Sequence, residues 1–94
     1  MVFNYSVKDP EKYRGYGPAA MPTLAPYGAE IVVADFSSDP VEGAPGHVTV
    51  VVRWPSKEAA RAWYDSPEYQ LARDIRTTSA EGIAVLCDGF NMPA

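Results

Sequence analysis

Apolar and polar residues alternate over residues 2–7: Phe3, Tyr5 and Val7 fall on one side and Val2, Asn4 and Ser6 on the other, a period of two that predicts a strand. Asp9-Pro10-Glu11 then offers a capping acceptor, a residue that needs no donor and an acid for the first turn, which together start a helix. Tyr13, Tyr16, Ala20, Leu24 and Tyr27 recur at helical spacing, but Gly15, Gly17, Pro18, Pro22 and Pro26 interrupt them. The prediction is a kinked or broken helix closed by Gly28. Residues 29–36 read as a second strand, 37–46 as a Pro/Gly-rich loop, and 47–54, with four valines, as a third strand stopped by Pro55.

The next helix is capped by Ser56 and carries Ala59, Ala60, Trp63 and Tyr64 on one face. In the stretch WYDSPEYQ, Ser66-Pro67-Glu68 restarts the helix at a new angle, so these residues have structural tasks before any catalytic one. Glu81-Gly82 reads as punctuation and residues 83–88 as the last strand, with 89–94 a loose tail. The order strand, helix, strand, strand, helix pair, strand is that of an α+β, ferredoxin-like βαββαβ sandwich with a four-stranded antiparallel sheet. Its first and third strands occupy the middle, and both helical segments cover one face.

That topology leaves the other sheet face bare, and parity places Asn4, Ser6, His47, Thr49 and Arg53 on it. On the second strand the same reasoning puts Glu30, Val32, Ala34 and Phe36 there, and on the fourth Ala84, Leu86 and Asp88. Apolar walls with a few convergent polar groups resemble the lining of a small-molecule pocket, against the plainer alternative of solvent-facing strand residues.

Composition narrows the partners. The 94 residues suffice for one domain with a thin core, which favours a homodimer covering part of its surface. A net charge of -4 without a Lys/Arg cluster argues against nucleic acid, and no apolar run is long enough to span a bilayer. One cysteine, Cys87, forms no internal disulfide, and the start shows no secretion signal, so a cytoplasmic protein is expected.

Among candidate catalytic groups, His47 is the one side chain whose ordinary pKa lies near neutrality, the natural general acid or base. Arg53 and Asn4 could hold developing negative charge; Ser6 and Thr49 could orient a substrate. Val32, Phe36, Tyr13, Tyr16 and Tyr64 could wall it, with Asp35 and Asp88 at the rim. One His and one Cys make no metal cluster, and no Gly-rich loop leads from a strand into a helix. Neither metal nor cofactor is expected.

Several segments in order carry a resemblance: Val7-Lys8-Asp9-Pro10-Glu11-Lys12-Tyr13, Pro22 to Gly28, Glu42-Gly43, Trp54-Pro55-Ser56 with Ala59 to Tyr64, and Ser66-Pro67-Glu68-Tyr69-Gln70. Together they are similar to a family of small bacterial proteins of unknown function in the dimeric α+β barrel superfamily. The resemblance implies a ferredoxin-like protomer packed on its twin through the bare sheet face, with a cavity between sheet and helices in each half. It also implies a range of activities, because the wider superfamily includes polyketide cyclases, muconolactone isomerases, and cofactor-free quinone-forming and haem-degrading monooxygenases. Where many relatives carry an Arg-Gly-Gly turn, this chain has Ala34-Asp35-Phe36, which loses a pocket arginine and adds bulk. The expected function is a cofactor-independent cyclase, isomerase or lyase acting by proton transfer on a small oxygenated or aromatic intermediate. The alternatives are a cofactor-free monooxygenase and a dimeric, non-catalytic binding protein.

Overall fold

The computed structural model describes residues 1–90; the part of the expected loose tail that runs from 91 to 94 lies outside them. Four strands, β1 (Val2–Val7), β2 (Glu30–Asp35), β3 (Val48–Arg53) and β4 (Ala80–Val85), form one antiparallel sheet in the order β2-β3-β1-β4. This is the ferredoxin-like arrangement, with β1 and β3 central as the element order predicts. The first helical segment is broken into α1 (Pro10–Tyr13) and α2 (Tyr16–Leu24), followed by a 3-10 turn over Ala25–Tyr27. Gly28 ends that turn at φ 75°, a left-handed conformation open to glycine at little cost.

On the second side, α3 (Lys57–Tyr64) and α4 (Pro67–Ser79) meet at the Asp65-Ser66 joint. The Ser56 side chain accepts from Ala59 N, and Ser66 Oγ accepts from Tyr69 N while donating to Trp63 O at 2.7 Å. The WYDSPEYQ stretch is therefore a capped helix joint. Its Trp63 and Tyr69 are buried, with ring centroids 3.8 Å apart. Phe3, Tyr5, Val48 and Val52 from the sheet complete the core with Ala72 of α4.

Three expectations about strands need correction. β4 begins at Ala80, three residues before the expected Ile83, because α4 passes straight into it: Ser79 O accepts from both Lys8 N and Asp9 N, tying the helix end to the end of β1. Pairing of Phe3 with Ala84 and of Asn4 with Ile83 turns Ala84 toward the helices and Ile83 away, the reverse of the expected parity. Leu86 likewise borders Met1, Tyr64 and Ala84 on the helix side, and Asp88 lies beyond the strand, ion-paired with Lys57 at 3.3 Å. On β2 the register shifts between Ile31 and Val33, so Val32 is an extra residue. That bulge flips the parity after it and turns Ala34, and with it Phe36, toward the helix side, while Glu30 stays on the bare face.

With the register fixed, the bare face carries a row of valines across all four strands: Val33 opposite Val51, Val51 opposite Val2, Val2 opposite Val85. Ile83, 60% exposed, stands beside it.

Candidate functional site

Helix α2 packs against α4 and stands off the β2–β3 half of the sheet. Gly15 and Gly17 begin it, and Pro18 and Pro22 occupy it, so few long side chains fill the gap below. The gap is a cavity of about 420 Å³. Its floor is Phe3, Tyr5, Val50 and Val52, with Ile31, Ala34 and Phe36 at the β2 edge. Tyr16, Ala20, Met21 and Leu24 of α2 form its roof, Tyr13 and Arg14 reach it from the α1–α2 break, and Trp63 closes it from α3.

Four phenols gather beside this space. Tyr5 and Tyr13 share a hydroxyl–hydroxyl hydrogen bond, and Tyr16 and Tyr69 share another at 2.7 Å. The Tyr13 and Tyr16 rings stack with centroids 5.6 Å apart. Behind them Arg76, 7% exposed, lies over the rings of Phe3 and Tyr5 at 5.0 and 5.8 Å. Ring faces answer its charge there through cation–π attraction. Burial pushes the Tyr5 and Tyr16 phenols well above their usual range and raises that of Tyr13, and for Tyr5 and Tyr16 the bonded partner phenol adds to the rise.

The folded protein thus holds these protons more tightly than the unfolded chain, whose phenols release them near pH 10.0. Their contribution to stability is complete below that pH and is lost as pH rises above it. Alkaline denaturation followed by circular dichroism and tyrosinate absorbance should therefore show the buried phenols ionising together with unfolding. Full tyrosinate absorbance in a folded protein would contradict this placement.

The residues singled out from sequence divide between several places. Tyr16 and Phe36 line the cavity. Asn4 does not aim at a ligand: its amide donates to Gly46 O, Val48 O and Thr49 Oγ1, and its oxygen accepts from Gly46 N at 2.7 Å. It clamps the loop before β3 to β1. Thr49 is occupied by Asn4 and by Ser38 Oγ at 2.7 Å. His47 is exposed, with Nε2 accepting from Val7 N at 3.1 Å and Nδ1 3.2 Å from Phe36 O, contacts that imply an Nδ1–H tautomer. Arg53 faces solvent in an ion pair with Glu30 at 3.4 Å, both side chains 67% exposed. Ser6 lies opposite Glu81 on the bare face, and Asp35 accepts from Ser37 N at 2.8 Å. Val32 occupies the bulge, and Tyr64 packs on Trp63 and Tyr69 under Arg73, away from the cavity.

The structure therefore does not gather His47, Arg53 and Asn4 into one centre. Asn4 pairs with Thr49, four residues along β3 from Arg53, roughly 13 Å at strand rise. Sequence reasoning named Tyr13 as a possible ring wall but passed over Tyr5, Tyr69 and Arg76 as parts of a site, because aromatics at these spacings read as core. The usable signal was an arginine on the apolar face of α4, in step with Tyr69 and Ala72.

Fold and cavity together define a small α+β protein with an apolar chamber between sheet and helices. Residues 1–90 match the family described as a domain of unknown function, DUF1330, and the chain belongs to that family. No curated protein matches it. Among the described residues, no helix is long and apolar enough to cross a membrane, and no cluster of His, Cys, Asp or Glu could hold a metal ion.

Proposed function

We propose that this protein binds one small, flat, largely apolar molecule in the cavity of each protomer and works as a homodimer. The observation that carries this reading is the chamber of about 420 Å³ walled by aromatic rings and aliphatic side chains. Its volume falls in the usual range for small-molecule sites. Binding without chemistry is favoured over proton transfer, because the titratable groups that line the chamber are phenols held protonated by burial and the permanently charged Arg14. The lone cysteine favours a cytoplasmic setting.

The test is calorimetric titration with 2-naphthalenemethanol. Saturable binding of one molecule per protomer is expected, with its loss in Ala34→Trp, a substitution that fills the chamber from its β2 edge. Absence of binding, or binding unaffected by Ala34→Trp, would reject the site.

A second reading, a cofactor-independent cyclase, isomerase, lyase or monooxygenase, draws on the paired phenols in front of Arg76, which could stabilise charge developing on an enolate oxygen. Recovery of a bound natural ligand in changed form would favour it over simple binding.

The valine row supports the dimer and, with it, the dimeric α+β barrel assembly. Val33 and Val85, 38% and 44% exposed, end an apolar band that spans the whole bare face, and a second copy would cover it. Val51→Arg places a charge at its centre. Sedimentation should show association weakened, with monomer prevailing at micromolar concentration and circular dichroism unchanged, a shift of at least about tenfold in the dimer constant. A dimer as tight as before would place the interface elsewhere.

A further inference from the structure

The polar side chains around the chamber are engaged with the protein or stand in water. Among the described residues that line it, only Tyr5, Tyr13, Tyr16, Trp63 and Arg14 carry an N–H or O–H on the side chain. The Tyr5 and Tyr13 hydroxyls bond each other, the Tyr16 hydroxyl bonds that of Tyr69, and Trp63 Nε1 donates to Thr23 Oγ1 at 2.8 Å. Arg14 is exposed, so its charge stays hydrated while its stem reaches the wall. On the floor, Phe3 pairs with Val50 and Ile31 with Val52, which commits backbone groups there to the sheet. What remains for a ligand to touch is hydrocarbon and ring.

The chamber also has two unlike sides. Phe3, Tyr5, Val52 and Trp63 are buried, whereas Ile31, Met21 and Phe36 are 37%, 56% and 60% exposed. The mouth therefore lies between α2 and β2, and the rings of Phe3 and Trp63 form the inner wall. A polar group of a ligand keeps its water at the mouth. Moved inward, it gives up that water and meets no partner.

We infer that the ligand is a hydrocarbon-bodied amphiphile, a molecule whose embedded part bears no hydrogen-bonding group and whose polar atoms sit at one end, in the mouth between Met21 and Phe36. This rests on the cavity reading above and specifies its ligand. Multiply oxygenated aromatics, sugars and nucleobases are selected against, because each would carry an unpaired donor or acceptor to the inner wall whichever way it entered. The oxygenated or aromatic intermediate expected from sequence is thereby narrowed to one oxygenated at a single end.

Three probes of one outline test it: 2,6-dimethylnaphthalene, 6-methyl-2-naphthol and naphthalene-2,6-diol, titrated calorimetrically, directly or by displacement of 2-naphthalenemethanol. Each step along the series exchanges one methyl group for one hydroxyl, so hydrophobicity alone would make the two losses of affinity equal. The first hydroxyl should cost little, because the naphthol can turn that end to the mouth. The second should weaken binding by a factor at least about tenfold larger than the first, since one hydroxyl must then be buried without a partner. Equal steps would overturn the inference while leaving the apolar cavity standing. A diol that binds as tightly as the naphthol would also overturn it, and would show that the inner wall holds a usable hydrogen-bonding group. Failure of all four molecules to bind would remove the cavity reading and this one with it.

Discussion

Trp63→Ala is expected to remove about 3–5 kcal/mol of folding stability, a large part of the roughly 5–15 kcal/mol that holds a typical domain together. The indole is 1% exposed and links three layers of contact. Its ring lies tilted against those of Tyr69 and Trp54, with centroids 3.8 and 4.7 Å apart, and packs edge-on with Phe3 at 6.4 Å. Its Nε1 donates to Thr23 Oγ1 at 2.8 Å, and Thr23 in turn donates to Ala20 O, so one side chain fastens α3 to α2. Truncation would leave a void that joins the existing cavity, which limits collapse and keeps the cost high. Urea unfolding measures the loss. A change below about 1 kcal/mol would mean that the neighbouring rings repack, and that the cavity wall is softer than its geometry implies. Trp63→Phe keeps a ring and gives up the hydrogen bond, so it should cost only about 1–2 kcal/mol.

The second large effect belongs to Gly82. A Cβ placed there would come within 2.2 Å of Asn4 O and 2.5 Å of Tyr5 Cα, both backbone atoms of the central strand. Neither can retreat without breaking the β1–β4 ladder. Gly82→Ala should therefore cost about 3 kcal/mol, the upper end for over-packing, and should loosen β4 first in hydrogen exchange. Gly89→Ala is the control, because nothing lies within 4 Å of a Cβ at that position. Equal stability of the two variants would show that β4 pairs more loosely than its register suggests.

Gly82 also illustrates how far the sequence could be read. A glycine after a long helix looks like a stop signal, and residues 81–82 were accordingly expected to separate helix from strand. Its actual task is close approach inside the strand, which depends on a partner 77 residues away in the chain and has no local mark. The run Ile83-Ala84-Val85-Leu86 is apolar throughout, so parity had nothing to anchor it. On β2 the alternation was equally mute, since Ile31-Val32-Val33 accommodates an extra residue without any change in character. Where alternation was strong, as in Val2–Val7, or where caps were explicit, as at Asp9, Ser56 and Ser66, the elements fall where the residues placed them.

The candidate site was less legible for a related reason. Polar residues on β1 and β3 suggested a binding face, yet Asn4 and Thr49 spend their hydrogen bonds on the loop backbone and on each other. The cavity is formed by what the first helical segment lacks. Glycines and prolines that broke the periodic pattern also kept α2 thin over the sheet, so the interruption announced the chamber without saying what would line it.

The molecule is only 15 Å thick along its shortest axis, one sheet and one helical layer. A ligand in the chamber is never more than a side chain away from bulk water. Phe36 and Met21, 60% and 56% exposed, line the chamber as accessible side chains, and rotation of such chains takes picoseconds to nanoseconds. Entry then requires no hinge and no parting of backbone hydrogen bonds. The residence time of a bound molecule would be governed by the strength of its own contacts, and chemically similar molecules would exchange rapidly according to their concentrations.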